Sequence, residues 1–296
     1  MVTIIIPIYN EASGISDFLN ELRLELVKVS DLIEIIFVDD CSNDASVSML
    51  NHFISETSFA SNIILKVIQN PSNLGYGASI KRGLRVAKHD SCAIIDSDTT
   101  YAFHELLSLI RFFNQNSYEM VVGARSGKFY QGSFTKRYLR VILKMIVEYM
   151  ANRSIPDINS GIRVFDKNIA LNNMRLLSDR FSFTTSLTLV FMLKGAIVDY
   201  VPVTYRKRSG GSKIRLVSDS IRTLGLILAV SFNFNPLKIL YPINALLVLI
   251  SSIFFIISLV LMSGLFLLLS CLFLLSTFVI LSIGLLAHLL SLNIQK

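Results

Sequence analysis

Through the first hundred residues, apolar runs of strand length alternate with stretches of helical period. The runs are "VTIIIPIY" from Val2, "EIIFVDD" from Glu34, "IILKVIQ" from Ile63 and "CAIID" from Cys92. Between them the spacing predicts helices over Ser13–Val29, after Asp44, and over Gly77–Lys88. The runs are continuously apolar, as in strands buried on both faces, so a mostly parallel sheet with helices on either side is expected: an α/β, Rossmann-like fold. "VTIIIPIY" lacks a basic leader and a small-residue cleavage site, and reads as the first strand rather than a signal peptide.

A second regime begins at Ile239. No Asp, Glu, Lys or Arg follows Lys238 until Lys296. As one helix, the stretch to Leu290 would run roughly 75 Å, against a bilayer core of ~30 Å. The break at "MSG", Met262–Gly264, therefore predicts two transmembrane helices, about 241–262 and 265–290, joined by a tight turn. Charges flank the hairpin and are absent from its turn, so the positive-inside rule places residues 1–238 and both termini in the cytoplasm. The expected organisation is a cytosolic domain over 1–207, a basic amphipathic juxtamembrane segment over 208–238, and the hairpin over 239–296.

Of the 28 Lys and Arg, all but Lys296 lie in residues 1–238 with all 21 acids. This modest basic excess suits phosphates or a membrane surface, and no nucleic-acid partner is expected. Cys41, Cys92 and Cys271 are far apart and lack zinc or redox spacing. His52, His89, His104 and His288 show no ligand spacing either.

Ligands of a parallel sheet bind beyond the carboxyl ends of its strands. The polar residues gather there: "PIYNE" (7–11), "DDCSND" (39–44), "NPSNLGYG" (70–77) and "DSDTT" (96–100) each follow one strand. Asp96 and Asp98 would project to one face of an extended strand and repel. A hard divalent cation, Mg²⁺ or Mn²⁺, completed by diphosphate oxygens, removes that conflict. A dehydrogenase is disfavoured, since "GYGASIKRG" follows the third strand and the full dinucleotide fingerprint is missing after the first.

With these motifs in order, the chain resembles the inverting family 2 glycosyltransferases of the GT-A fold. "VTIIIPIYNE" resembles their opening strand, "IIFVDDCSNDAS" their "VDDGSxDxT" element, "NLGYGASIKRG" their "NxGxGxAxxxG" element, and "DSD" their metal motif. "PDINSGIRVF" (156–165), "FSFTTSLTL" and "YRKRSGGSKIR" are similar to the polyprenyl-phosphate branch, which includes dolichyl-phosphate mannose synthases. The resemblance implies a GT-A domain with a nucleotide-sugar donor held by Pro7, Tyr9, Asn10, Glu11, Asp39, Asp40, Gly75, Lys81 and Asp96. It also implies a metal on Asp96 and Asp98, and Asp157, Asp98 and Arg125 as catalytic residues. A polyprenyl phosphate acceptor would meet Arg125, Arg137, Arg163, Arg206, Arg208, Ser212 and Lys213. Asp157 is either a base or a residue that orients the acceptor. "TTY" (99–101) departs from the branch, which leaves Thr100 open as a ligand and makes this the place where donor choice is expected to be written.

The expected activity is metal-dependent transfer of a hexose from a UDP- or GDP-sugar to a polyprenyl phosphate, with inversion, at the cytoplasmic face of a bacterial or archaeal membrane. The alternatives are transfer to a hydroxyl of a glycolipid or polysaccharide, and a non-catalytic nucleotide-sugar-binding scaffold. The absence of tryptophan counts against the "QxxRW" pattern of processive synthases. A homo-oligomer is compatible with all of these.

Overall fold

The computed structural model describes residues 1–57, 59–127, 134–206 and 216–294, with side chains at all of these except 134–140, 216–219 and 293–294. The chain divides into two compact units, Met1–Leu226 and Ile227–Lys296.

The first unit is built on seven strands: β1 (Val2–Ile8), β2 (Ile33–Asp39), β3 (Ile63–Gln69), β4 (Ser91–Ile94), β5 (Met120–Ser126), β6 (Arg163–Asp166) and β7 (Val198–Thr204). They lie in the order β3-β2-β1-β4-β6-β5-β7. All neighbours are parallel except β6, which runs antiparallel to β4 and β5. The order reverses beside β1, so the carboxyl ends of β1 and β4 open a crevice of the kind that takes ligands.

Helices α1 (Ile15–Leu26), α2 (Ser46–Glu56), α3 (Tyr76–Val86) and α4 (Phe103–Gln115) connect the strands. Phe18, Leu19, Leu22 and Leu26 recur at helical period on α1 and bury with Ile4, Ile6 and Ile8 of β1 in one apolar core. The intervening Ile5 points to the other face, where a Cβ on Gly83 of α3 would come within 2.6 Å of it. That period-two division explains why β1 is apolar at every position.

α5 (Phe134–Ala151), α6 (Lys167–Asn172) and α7 (Phe183–Leu193) complete the domain, and α8 (Leu216–Phe234) follows β7. α8 crosses the division between the units.

In the second unit α9 (Pro236–Leu261) and α10 (Gly264–Ile294) form a helical hairpin. Its turn falls at Met262, in the left-handed region with φ 49°, within the "MSG" that sequence singled out. Both helices are long and apolar enough to cross a membrane. Their seam combines stacked rings of Phe254, Phe266 and Phe273 with small residues: the Ser251 hydroxyl donates to the Ser270 carbonyl at 2.9 Å, and Gly284 lets Leu240 approach.

Candidate active site

The turns after β1 and β2 are laced together. Backbone N–H groups of Asn10 and Glu11 donate to the hydroxyls of Ser42 and Ser46, and Ala12 N–H donates to Asp44. Burial pushes the Asp44 carboxyl up, but bonds from Ser46 and Ala12 hold it below its ordinary value. Asp39 ends β2 and accepts from Ser42 N–H, while Asp40 accepts from Asn70 Nδ2 and from the N–H groups of Leu74 and Gly75.

The segment 96–101 leaves β4 beside them. Ser97 Oγ donates to the Pro7 carbonyl at 3.1 Å, pinning it to β1. Thr99 takes φ 62°, and this reversal lets Thr100 donate both its N–H and its hydroxyl to Asp98 Oδ1. Asp96 Oδ1 accepts the Tyr76 hydroxyl at 2.9 Å. Burial, with Asp96 alongside, raises the Tyr76 phenol well above its ordinary range, so it stays a donor.

The antiparallel β6 makes the opposite wall. Arg163 pairs with both Ile94 and Val122, which returns residues 157–162 to the rim where β4 and β5 end. There Arg125 Nε donates to Asp157 Oδ2 at 2.6 Å and Nη2 to Oδ1 at 2.8 Å, a bidentate pair. Asp157 is buried, and burial raises its pKa, but the hydrogen bonds and charge of Arg125 win and hold it below the ordinary carboxylate value. Tyr205, just past β7, lies 5.5 Å beneath the Arg125 guanidinium and meets Tyr101 edge-on. Tyr101 in turn reaches Ser160 Oγ and accepts from Gly161 N–H. Asn159 is fixed by the Thr185 hydroxyl at 2.7 Å.

Residues 3–172 match the family described as Glycosyl transferase family 2. The chain belongs to that family. Among curated relatives, this family 2 glycosyltransferase is 26% identical to a dolichyl-phosphate beta-glucosyltransferase of Dictyostelium discoideum, over 79% of this chain and 74% of the relative. It is 25% identical to an undecaprenyl-phosphate 4-deoxy-4-formamido-L-arabinose transferase of Pectobacterium atrosepticum, over 84% and 72%. Among solved structures, it resembles glucosyl-3-phosphoglycerate synthase from Mycobacterium tuberculosis, in complex with Mn²⁺, UDP-glucose and glycerol 3-phosphate. The TM-score is 0.58 at 15% identity, covering 78% of this chain and 80% of that one. The mannosyltransferase PcManGT from Pyrobaculum calidifontis, in complex with GDP-Man and Mn²⁺, matches at TM-score 0.55 and 18% identity, over 78% and 62%. These establish the GT-A fold expected from sequence.

The glycosyltransferase brings Pro7, Asp39, Asp96, Asp98, Asp157 and Arg125 to one rim, with Tyr9, Asn10 and Glu11 in the turn that follows β1. Four of the residues singled out from sequence have partners within the protein. Arg163 is 0% exposed, with Nη1 and Nη2 donating to the carbonyls of Ser160 and Thr184 and to the Thr188 hydroxyl, so it supports the wall. Lys81 is buried against the Leu177 carbonyl and the Asp179 carboxylate. Asp40 is spent on the backbone ahead of α3, and a Cβ on Gly75 would lie 2.6 Å from the Asp179 carbonyl. These three build the wall behind the crevice. Arg206 pairs with Glu21 at 2.8 Å, and its N–H donates to the Thr100 carbonyl. Arg208, Ser212 and Lys213 and the side chain of Arg137 lie outside the described residues.

Sequence reasoning gave no individual role to Tyr76, Ser160, Gly161 and Tyr205, although all four stand inside motifs it quoted. Tyr101 turns inward, at 2% exposure, and ties the Asp-x-Asp loop to the 157–161 segment. Among the described residues no group of three or more His, Cys, Asp or Glu could hold a metal. Asp96 and Asp98 fit a hard cation whose remaining ligands are diphosphate oxygens and water, as is usual for Mg²⁺-type sites.

Proposed function

We propose that this glycosyltransferase moves a hexose from a UDP- or GDP-sugar to a polyprenyl phosphate at the cytoplasmic face of the membrane, with inversion at the anomeric carbon. The Arg125–Asp157 pair carries the choice of acceptor. A hydroxyl acceptor needs a carboxylate base, whereas buried Asp157 has its basicity lowered by Arg125, which occupies both of its oxygens. A lipid phosphate has its second pKa near ~6, so at neutral pH it attacks without giving up a proton.

In this reading Asp96 and Asp98 would hold Mg²⁺ or Mn²⁺, and the ion would supply charge neutralisation for the departing nucleoside diphosphate. Tyr9, Asn10, Glu11 and Asp39 hold the nucleoside, Asp98 fixes the diphosphate end, and Arg125 and Asp157 align acceptor and sugar. The phosphate oxygen forms the new bond to the anomeric carbon as the bond to the diphosphate oxygen breaks. The basic segment beyond Arg206 carries Lys207, Arg208, Lys213 and Arg215, which would supply further positive charge for the acceptor. Relatives named for dolichyl and undecaprenyl phosphate support the lipid acceptor, and the apolar hairpin supports the membrane.

α5 adds support for a bilayer surface. Val141, Ile142, Met145 and Tyr149 form an exposed apolar stripe, while Val147 and Met150 are buried. The test is to incubate membranes containing the protein with radiolabelled UDP- and GDP-sugars, undecaprenyl or dolichyl phosphate, and Mn²⁺ or EDTA. A lipid-linked product that requires metal is expected. Label appearing only on hydroxyl acceptors would overturn the assignment of the acceptor.

A further inference from the structure

Tyr76 is the first residue of α3 and stands between two glycines whose environment explains its orientation. Gly75 takes φ 108°, and a Cβ there would lie 2.6 Å from the Asp179 carbonyl oxygen. A Cβ on Gly77 would lie 2.1 Å from the Ser178 carbonyl oxygen. Only glycines admit the 178–181 segment this close to the first turn of α3, where Ala78 N–H donates to the Asp179 carbonyl at 3.0 Å. That docking stacks Phe181 on Tyr76, with ring centroids 5.9 Å apart and planes 18° from parallel.

The other end of Tyr76 is its hydroxyl, 2.9 Å from Asp96 Oδ1. On the far side of the same carboxylate lies the backbone of residue 161, where a Cβ on Gly161 would sit 2.0 Å from Asp96 Oδ2. Asp96 is thus gripped from two directions, by a hydrogen bond on one oxygen and by main chain against the other. A site with two protein carboxylates has little redundancy, so the aim of each decides how well a cation is held. Partners that orient ligating carboxylates contribute to metal affinity without touching the metal.

We infer that Tyr76 is a positioning residue for the metal–nucleotide complex: its hydroxyl sets the orientation of Asp96, and Phe181 holds the Tyr76 ring in place. This rests on the reading of Asp96 and Asp98 as the metal pair. Tyr76 touches neither metal nor sugar and acts through Asp96. The two glycines of "GYG" serve that arrangement, which gives the motif a purpose distinct from cradling phosphate.

The test uses full-length protein in detergent. Free Mn²⁺ is followed by electron paramagnetic resonance during titration in the presence of UDP or GDP, and nucleotide binding is measured separately in EDTA. Tyr76→Phe is expected to weaken Mn²⁺ binding to the nucleotide complex about tenfold while nucleotide affinity in EDTA stays at the wild-type value. Phe181→Leu, which keeps the hydroxyl and removes the stack, is expected to weaken Mn²⁺ binding in the same direction and by less. Unchanged Mn²⁺ affinity in Tyr76→Phe overturns the inference alone, as does an equal loss of nucleotide affinity in EDTA, which marks a general defect of fold. A wild type that binds Mn²⁺ with neither nucleotide overturns the reading of the metal pair, and this inference with it.

Discussion

Arg125 grips Asp157 through one guanidinium edge, Nε at 2.6 Å and Nη2 at 2.8 Å, and its own backbone N–H donates to the same carboxylate at 3.2 Å. The two residues are 32 apart in sequence and meet because β6 turns back against β5.

The pair sets the behaviour of Asp157 with pH. The folded-state pKa is depressed, so the stabilisation is fully present above about pH 4 and fades as pH falls through the lowered value. Asp157 is therefore ionised throughout the neutral range. Asp157→Asn is expected to lower kcat about a hundredfold while leaving the acid limb of the kcat/KM profile in place. An acid limb that disappears in the mutant would identify Asp157 as a general base instead.

Arg163 tests a different role for a positive charge. Its buried guanidinium bonds two carbonyls and a hydroxyl, a pattern that an ammonium does not reproduce. Arg163→Lys is expected to cost about 3 kcal/mol of stability, seen as a lowered midpoint in thermal unfolding followed by circular dichroism. Raising the acceptor concentration should not restore activity. Recovery of the wild-type rate at high acceptor would show instead that Arg163 binds it.

Cys41 occupies the glycine position of the "VDDGSxDxT" pattern with φ 62°, in the left-handed region. A side chain there costs about 1–2 kcal/mol, partly offset because glycine loses about 0.5–1 kcal/mol more backbone entropy on folding. Cys41→Gly should raise stability by about 0.5 kcal/mol, the difference of those two terms. A lowered unfolding midpoint would mean that the thiol makes a contact worth more than the strain.

The hairpin register can be checked covalently. Ser251 Oγ and Ser270 Oγ are 3.2 Å apart, close enough for a disulfide between cysteines at these positions. With Cys271 replaced by Ser, the double variant Ser251→Cys, Ser270→Cys should cross-link within one chain on mild oxidation. Cross-links formed only between chains would put the two helices in a different arrangement.

Strand periodicity, the charge-free tail and the polar ends of four strands were legible in the chain itself. Each is a local pattern: burial on both faces makes β1 apolar throughout, and two long uncharged helices are of the length and composition a bilayer core would take. Position along the chain even placed Asp96 and Asp98, because a parallel sheet gathers the ends of its strands on one rim. What sequence could not convey was the direction in which a side chain is spent. Arg163, Lys81 and Asp40 read as ligands because charge is cheap to recognise, and packing gives each of them partners within the protein that the sequence did not show. Tyr101, in the stretch where donor choice was expected, ties two segments of the rim together. The Arg125–Asp157 pair and the Tyr76–Asp96 bond exist because an antiparallel strand and two glycines bring distant segments into contact, and only the tertiary structure decides which donors meet which acceptors there.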